Sequence, residues 1–174
     1  MPKDYTPAGH LQCTVFREGT PMPAATAVMI RPMTIEDYDE VFALWLRTAK
    51  QGPGLCVRDA DSRPNIQRYL DRNPGMSFIA ESHERIIGAV LSGHDGRRGF
   101  IHHLAVEPNF RRRGTGRQLI GACEQALLDA GIGKAHLLVH MDNHEAGVFW
   151  AQTGWSERDD VRLMSKSLTG NPDE

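Results

Sequence analysis

The chain has 174 residues, which is enough for one domain with a hydrophobic core of useful size. Hydrophobic residues make up 40% of the chain and charged residues 24%, a balance typical of globular proteins, and no apolar run reaches the length of a membrane span. The net charge of −2 argues against a protein built to hold nucleic acid or an anionic membrane surface.

Three cysteines, Cys13, Cys56 and Cys123, cannot all pair within one chain, and their spacing fits no zinc site. We therefore expect a reducing compartment, which predicts a cytoplasmic protein. Proline and glycine without hydrophobic periodicity predict a disordered extension over residues 1–26. One domain is then expected over residues 27–168, followed by a disordered tail at 169–174.

Hydrophobic periodicity beyond the extension predicts the element order β-α-α-β-β-β-α-β-α-β. Strands are expected at 27–31, 76–81, 85–92, 100–106, 135–140 and 161–164. Helices are expected at 34–49, from Pro64 to the stop at Asn73-Pro74-Gly75, at 116–130 and from Asn143 to Gly154. Three consecutive strands in the middle imply hairpins, and hairpins imply a mixed α/β sheet instead of a doubly wound parallel one.

An arginine- and glycine-rich turn, Arg111-Arg112-Arg113-Gly114-Thr115-Gly116, joins the strand at 100–106 to the helix at 116–130. The start of a helix carries unpaired N–H donors and a partial positive charge. Glycines there let the backbone approach an anion closely, and the arginines add charge. The turn is therefore typical of a loop that binds a pyrophosphate.

Other phosphate-binding motifs fit this turn poorly. A dinucleotide fingerprint needs a glycine directly after the strand and a third glycine at position 119, where this chain has Leu119. A P-loop needs a Lys-Ser or Lys-Thr pair after the glycines, and none follows Gly116. A solvated arginine run at a helix start remains the structural alternative.

These motifs resemble those of the GNAT superfamily of N-acetyltransferases. The family's R/Q-x-x-G-x-G/A loop matches Arg111, Gly114 and Gly116, and its strand end V-x-P matches Val106-Glu107-Pro108. A second signature, an asparagine at a helix start followed by a glycine-aromatic pair, matches Asn143 and Gly154-Trp155. The stretch 93–99 further resembles small bacterial members of the YpeA type. The resemblance covers about residues 29–168 and implies a mixed, largely antiparallel central sheet flanked by helices on both faces.

The resemblance also implies how acetyl-CoA binds as a co-substrate. The backbone N–H groups of the loop would hold the pyrophosphate; the loop consists of Arg111, Arg112, Arg113, Gly114, Thr115 and Gly116. Leu104, Ala105 and Val106 would pair with the pantetheine arm like an added strand, and an N–H near Leu104 would polarise the thioester carbonyl. Asn143 would bond to the pantetheine, with Phe149 beside it.

Direct transfer requires a neutral amine, so a base is expected to take a proton from the acceptor. His102 and His103 precede the predicted CoA-binding segment, and strand alternation predicts that they point to opposite faces. His102 lies two residues before Leu104, where the arylalkylamine acetyltransferases of this superfamily place a catalytic histidine. We therefore predict His102 as the base, while two partly exposed strand histidines are the alternative. The next candidates are Glu107, His94 and Asp95.

One residue departs from the family pattern. Most GNAT proteins have a tyrosine four residues before the glycine-aromatic pair, which acts as general acid toward the CoA thiolate, whereas this chain has Trp150. An indole N–H donates a hydrogen bond but does not release a proton in this pH range. Tyr5, Tyr38 and Tyr69 all lie in the N-terminal half. Water or another group is therefore expected to assist the leaving thiolate.

A metal site is not expected, because His136, His140 and His144 span a strand and a turn, where their spacing forms no common face. Three functions stay open: an N-acetyltransferase, a non-catalytic acyl-CoA-binding regulatory protein and a basic interaction module. We predict the first, with the acetyl group of acetyl-CoA moving to a primary amine of a small molecule or protein by direct attack. No nucleic acid or membrane partner is expected, and the acceptor's identity and the formation of a homodimer are left open.

Overall fold

The computed structural model describes residues 27–49 and 59–168. The predicted extension at 1–26 and the predicted tail at 169–174 lie outside the described residues. Five strands are present in the described ranges: β1 Met29–Pro32, β2 Phe78–Ser82, β3 Arg85–His94, β4 Gly99–Val106 and β5 Ala135–Leu137. Four α-helices accompany them: α1 Tyr38–Ala49, α2 Arg63–Arg72, α3 Thr115–Asp129 and α4 His144–Gln152. Short 3-10 helices lie at Ile35–Asp37, Asp59–Asp61 and Pro108–Phe110.

The strands form one sheet in the order β1-β2-β3-β4-β5. The first three pairings are antiparallel and the pairing of β4 with β5 is parallel. Adjacent antiparallel strands follow from the short connections between β2, β3 and β4, whereas the long connection through α3 allows a parallel neighbour. The predicted mixed, largely antiparallel sheet is confirmed.

The hydrophobic core lies on both faces of the sheet. On one face, α1 buries Val41, Leu44 and Trp45 against the sheet, and Tyr69 and Leu70 of α2 pack beside them. On the other face, α3 buries Leu119, Ile120 and Cys123, and the aromatic residues of α4 pack against that cluster. Helices on both faces are therefore confirmed.

Cys123 is one of the most completely buried residues of α3. This burial raises the pKa of the Cys123 thiol to about 12, because a thiolate would lose its hydration there. Cys123 is therefore a packing residue without the ionised sulfur that a nucleophile requires.

Two predicted strands differ from the structure. β5 ends at Leu137 instead of continuing to residue 140, and residues 161–164 form no strand. The side chains of Val161 and Leu163 stay 60% and 72% exposed, because none of the described strands pairs with this segment. A segment with alternating apolar residues forms a strand only when it pairs with the edge of a sheet. Within the described ranges, the helices are too short or too polar to cross a membrane.

Candidate functional site

The two strands β4 and β5 separate after three paired residues. The pairing joins residues 99–101 of β4 to residues 135–137 of β5 and then ends. β4 continues to Val106 and stays paired with β3 on its other side. Among the described strands, none covers the edge of β4 beyond Ile101. This open edge contains Leu104, Ala105 and Val106, and an open edge offers backbone N–H and C=O groups to an extended ligand.

A β-bulge interrupts β4 where its open edge begins. Ala89 of β3 lies opposite Ala105, whereas Leu91 lies opposite His102, so that Val90 faces two residues of β4 instead of one. The bulge is centred on His103, whose φ of 51° lies in the left-handed region that a histidine seldom adopts. The bulge therefore changes which way the following side chains point.

The bulge places His102 and His103 on the same face of the sheet. The ring of His102 lies 6.2 Å from the ring of Tyr69 in α2, and the ring of His103 lies 4.9 Å from the ring of Trp45 in α1. Both helices cover this one face. The prediction that the two histidines point to opposite faces is wrong, because strand alternation does not hold across a bulge.

His102 borders a cavity of about 250 Å³ between the end of α2, the end of β3 and the first half of β4. Its ring stacks on Phe100 at 6.1 Å, and the other lining residues are Tyr69, Arg72, Asn73, Gly93, His94 and Asp95. Although the side chain is exposed at the cavity, the surrounding protein atoms remove part of its hydration. This desolvation and the nearby His103 lower the pKa of His102 below its usual value, so that the neutral imidazole is favoured.

His103 is held by an acidic residue from a distant part of the chain. Its Nε2 lies 2.7 Å from Oδ1 of Asp61, whose side chain is only 10% exposed. The hydroxyl of Tyr38 donates a hydrogen bond of 3.0 Å to the backbone carbonyl of Asp61. Asp61 was not predicted as a site residue, because its position 42 residues before His103 gives no spacing signal.

The predicted pyrophosphate loop follows the open edge of β4 directly. The turn 111–114 leads into α3, which begins at Thr115, and Gly114 occupies the position before the helix with a φ of 87°. The first turn of α3 contains no acidic residue, so its unpaired N–H groups and partial positive charge are not neutralised there. Glycine suits this start because a left-handed φ costs it little.

Side-chain contacts hold the loop against β4. The Nε of Arg111 donates to the carbonyl oxygen of Val106 at 3.0 Å, and Oγ1 of Thr115 donates to the carbonyl oxygen of Phe110 at 3.3 Å. The Arg113 guanidinium lies 5.7 Å from the centre of the Phe110 ring. The exposed Arg112 lies 3.9 Å from Glu145. The loop therefore combines a braced backbone with exposed guanidinium charge.

Helix α4 brings the two other predicted cofactor residues to the loop. A Cβ atom at Gly116 would lie 3.4 Å from Cε2 and Cζ of Phe149 and 3.8 Å from Cγ2 of Val106. The Phe149 ring therefore packs against the first turn of α3 at Gly116, with room for a Cβ atom at van der Waals distance and for little beyond it. Asn143 precedes α4, and its Oδ1 accepts a hydrogen bond of 3.0 Å from the N–H of Ala146. The amide NH₂ of Asn143 is then the group that could donate to a ligand.

Two further residues of interest are engaged in packing or pairing. The Glu107 carboxylate accepts hydrogen bonds of 2.9 and 2.6 Å from Nε and Nη2 of Arg47. The Trp150 ring lies 5.2 Å from Phe149 and 5.4 Å from Trp155, both in edge-to-face geometry. Across residues 27–49 and 59–168, no three His, Cys, Asp or Glu side chains are grouped so that they could hold a metal ion.

Comparison with known proteins gives a family and a fold. The family model described as the acetyltransferase (GNAT) family matches residues 38–155. An acetyltransferase of Sodalis glossinidius (strain morsitans) is 31% identical over 139 residues, which cover 80% of this chain and 94% of that protein.

Two solved structures share the fold at low identity. The PaiA N-acetyltransferase of Thermoplasma acidophilum in complex with coenzyme A has a TM-score of 0.67 and 18% identity, over 78% of this chain and 93% of that one. The aminoglycoside N-acetyltransferase AAC(6')-Iy in complex with CoA has a TM-score of 0.66 and 20% identity, over 84% of this chain and 99% of that one.

Proposed function

Because the chain belongs to the GNAT family of acetyltransferases and is an acyltransferase, we propose that it transfers the acetyl group of acetyl-CoA to a primary amine. The amine belongs to a small molecule or to a protein, and it attacks the thioester directly. The CoA complexes of the two similar structures support acetyl-CoA as the donor.

The observation that carries this proposal is the continuity between the open edge of β4 and the loop that starts α3. The open edge suits the pantetheine arm, which is extended and carries amide groups that can pair with Leu104, Ala105 and Val106. The loop suits the pyrophosphate, because it joins unpaired N–H groups to guanidinium charge. An extended amide arm that ends in a pyrophosphate is the shape of CoA.

Asn143 and Phe149 complete this binding surface in the proposal. The Asn143 NH₂ group donates to a pantetheine carbonyl, since its oxygen is occupied by Ala146. The Phe149 ring, packed on Gly116, forms an apolar side for the arm. Each hydrogen bond to a charged phosphate contributes roughly 1.5–3 kcal/mol, so a few of them suffice for micromolar affinity.

The chemistry in this site begins with loss of a proton from the ammonium group of the acceptor. At about pH 7.4 only about one lysine-like amine in a thousand is neutral, a cost of roughly 4 kcal/mol. The neutral nitrogen attacks the carbonyl carbon, a C–N bond forms, and the carbonyl oxygen becomes negative while a backbone N–H near Leu104 donates to it. The C–S bond then breaks, the nitrogen loses its second proton, and the thiolate takes up a proton to give CoA.

We assign the base role to His102, which borders the cavity described above and directly follows Ile101, the last residue of β4 that pairs with β5. Its lowered pKa keeps it neutral near pH 7 and therefore able to accept a proton. Glu107 is the next candidate, although its carboxylate is bound by Arg47. Trp150 supplies no proton, so water protonates the thiolate in this proposal.

A transfer assay tests this function. In each reaction the protein is incubated with acetyl-CoA and one amine, either 2-phenylethylamine, spermidine, lysine or a lysine-containing peptide. Free thiol is measured by absorbance and the acetylated amine by mass spectrometry. Thiol release that depends on one of these amines, with matching acetylated product, is expected. Binding of acetyl-CoA without any product would instead support the regulatory alternative.

A further inference from the structure

The backbone N–H groups of β4 change direction along the strand. At its start, the N–H of Gly99 donates a hydrogen bond of 2.9 Å to the carbonyl oxygen of Lys134, on the β5 side. Just past its end, the N–H of Glu107 donates a hydrogen bond of 2.8 Å to the carbonyl oxygen of Ile87, on the β3 side. Successive N–H groups of a regular strand point to alternate sides. Gly99 and Glu107 are an even number of positions apart, and yet their N–H groups point to opposite sides.

The β-bulge accounts for this reversal. Val90 of β3 faces both His103 and Leu104, so the alternation of β4 shifts by one position there. Because the N–H of Glu107 points to β3, the N–H groups of Val106 and Leu104 are directed to the open edge. In a strand without the bulge, the Leu104 N–H would point to β3. The bulge therefore presents the N–H that donates to the thioester carbonyl in the proposed mechanism.

The bulge depends on an unfavourable backbone conformation at His103. Its φ of 51° is one that a histidine keeps only where its surroundings hold it. The side chain is held on two sides, since Nε2 lies 2.7 Å from Oδ1 of Asp61 and the ring lies 4.9 Å from the Trp45 ring. Trp45 is fully buried, and the Asp61 side chain is only 10% exposed. Both partners therefore hold the imidazole in a fixed direction.

Asp61 is itself anchored among the helices. It ends the short 3-10 helix Asp59–Asp61, which directly precedes α2. Its backbone carbonyl accepts a hydrogen bond of 3.0 Å from the hydroxyl of Tyr38, at the start of α1. The contact between Asp61 and His103 therefore joins the layer formed by α1 and α2 to the one irregular point of β4.

We infer that Asp61 and His103 are positioning residues whose contact holds the bulge of β4 and so keeps the Leu104 N–H directed at the thioester carbonyl. This inference rests on the proposed function. Neither side chain touches the substrate or exchanges a proton with it. A backbone donor stabilises the negative oxygen only at hydrogen-bond distance, and a misplacement of about 1 Å costs roughly 10²-fold in rate.

Substitutions at His103 separate the role of the ring from that of the backbone. His103→Ala removes the ring and disfavours a left-handed φ, whereas glycine adopts that φ freely and asparagine tolerates it. We expect His103→Ala to lower kcat roughly 10²-fold, measured with the amine of the panel above that the wild-type protein acetylates fastest. His103→Gly and His103→Asn should recover a large part of this loss. Equal losses in all three variants would mean that the imidazole itself takes part, which would overturn the inference.

Substitutions at Asp61 separate the contact from the charge. Asp61→Asn keeps an oxygen that accepts the hydrogen bond from His103, whereas Asp61→Ala removes it. We therefore expect Asp61→Asn to keep kcat within a few fold and Asp61→Ala to lower it roughly 10²-fold. An Asp61→Asn variant as slow as Asp61→Ala would show that the charge is required, contrary to a positioning role.

His83 offers a matched control for backbone strain. It has the same φ of 51° and lies exposed in the turn between β2 and β3. His83→Ala therefore imposes a similar strain on the backbone of a histidine outside the proposed site. We expect a lower melting temperature with an unchanged kcat. A loss of kcat in His83→Ala as large as that in His103→Ala would reduce the effect at His103 to general destabilisation.

The carbonyl stretch of bound, isotope-labelled acetyl-CoA tests the positioning directly and needs no acceptor amine. A hydrogen bond to the carbonyl oxygen lowers this frequency, which isotope-edited infrared spectroscopy measures. We expect a lower frequency on the wild type, Asp61→Asn and His83→Ala than in free acetyl-CoA, and a return toward the free value on His103→Ala and Asp61→Ala. Acetyl-CoA affinity should stay close to that of the wild type, because the pyrophosphate loop is unchanged.

Two results of this measurement would overturn the inference alone. One is a wild type that binds acetyl-CoA without lowering the carbonyl frequency. The other is a frequency on His103→Ala and Asp61→Ala equal to that on the wild type. The proposed function would survive both, since amine acetylation is measured separately. A wild type that binds no acetyl-CoA would overturn the proposed function together with the inference.

Discussion

The side chain of Arg111 turns back onto the strand that precedes it, where its Nε donates a hydrogen bond of 3.0 Å to the carbonyl oxygen of Val106. This bond joins the last residue of β4 to the first residue of the predicted pyrophosphate loop. Arg111 therefore braces the loop at the end of the open strand edge, in addition to bringing positive charge there.

Replacing Arg111 by alanine is expected to weaken acetyl-CoA binding about tenfold, because the loop loses both its brace and a charge. Arg112→Ala is the matched control, since the Arg112 side chain is 86% exposed and lies 3.9 Å from Glu145 instead of bonding to the backbone of β4. The loss of acetyl-CoA affinity in Arg112→Ala, relative to the wild type at the same salt concentration, should largely vanish in about 0.5 M salt, where exposed charges are screened. Calorimetric titration at low and high salt measures the acetyl-CoA affinity of both variants. If Arg111→Ala binds acetyl-CoA as tightly as the wild type at high salt, the bracing role is contradicted.

The pH dependence of kcat/KM follows from the lowered pKa of His102. The neutral imidazole is the active form, so activity should rise with pH, with the midpoint of the rise below the ordinary histidine value of about 6.5. His102→Ala should flatten this limb and lower the rate on the order of 10²–10⁴-fold, while acetyl-CoA affinity holds.

His136→Ala is the control for this prediction, because His136 lies on the same edge of the sheet with its ring 5.8 Å from Phe100. It should keep the wild-type profile. A His102→Ala protein with the wild-type rate across pH contradicts the assignment. If Glu107→Gln is inactive in the same experiment, the base role moves to Glu107.

Trp150 is expected to act through packing alone, since its ring is held between Phe149 and Trp155. Trp150→Phe should therefore keep kcat within a few fold. Trp150→Tyr should keep it or raise it, because a phenol can donate a proton to the thiolate where an indole cannot. Loss of activity in Trp150→Phe, with the melting temperature unchanged, would show that the indole itself takes part.

The segment 1–26 is expected to be dispensable for folding, because its prolines and glycines come without hydrophobic periodicity. A chain that begins at Ala27 should have the melting temperature of the full-length protein, measured by circular dichroism. A decrease of several degrees would mean that the segment packs on the domain.

Sequence patterns within short stretches of the chain predicted the positions of most helices and strands. Helix α3 was expected at 116–130 and lies at Thr115–Asp129, because the glycine before it and the apolar face along it are features of one short stretch. The open edge of β4 and the loop are likewise consecutive in the sequence. The part of the site that binds CoA in our proposal could therefore be located from residues close together in the chain.

Features set by distant pairing could not be predicted in this way. The common face of His102 and His103 depends on how β3 lies against β4, where Val90 faces two residues. Asp61 reaches His103 only through the fold, and the apolar segment at 161–164 finds no partner among the described strands. Each of these outcomes depends on tertiary contacts, which cannot be inferred from the hydrophobic periodicity of the sequence.

The most direct test of the central claim is calorimetric titration of acetyl-CoA into the wild-type protein and into a Gly114→Val, Gly116→Val variant. Valine cannot adopt the φ of 87° at position 114 without strain, and at position 116 its methyl groups would extend beyond a Cβ atom that already lies 3.4 Å from the Phe149 ring. Gly121→Val is the control, since Gly121 lies on α3 with no atom within 4 Å of an added Cβ. We expect micromolar binding by the wild type and the control and none by the double variant; unchanged affinity in a folded double variant would contradict the account.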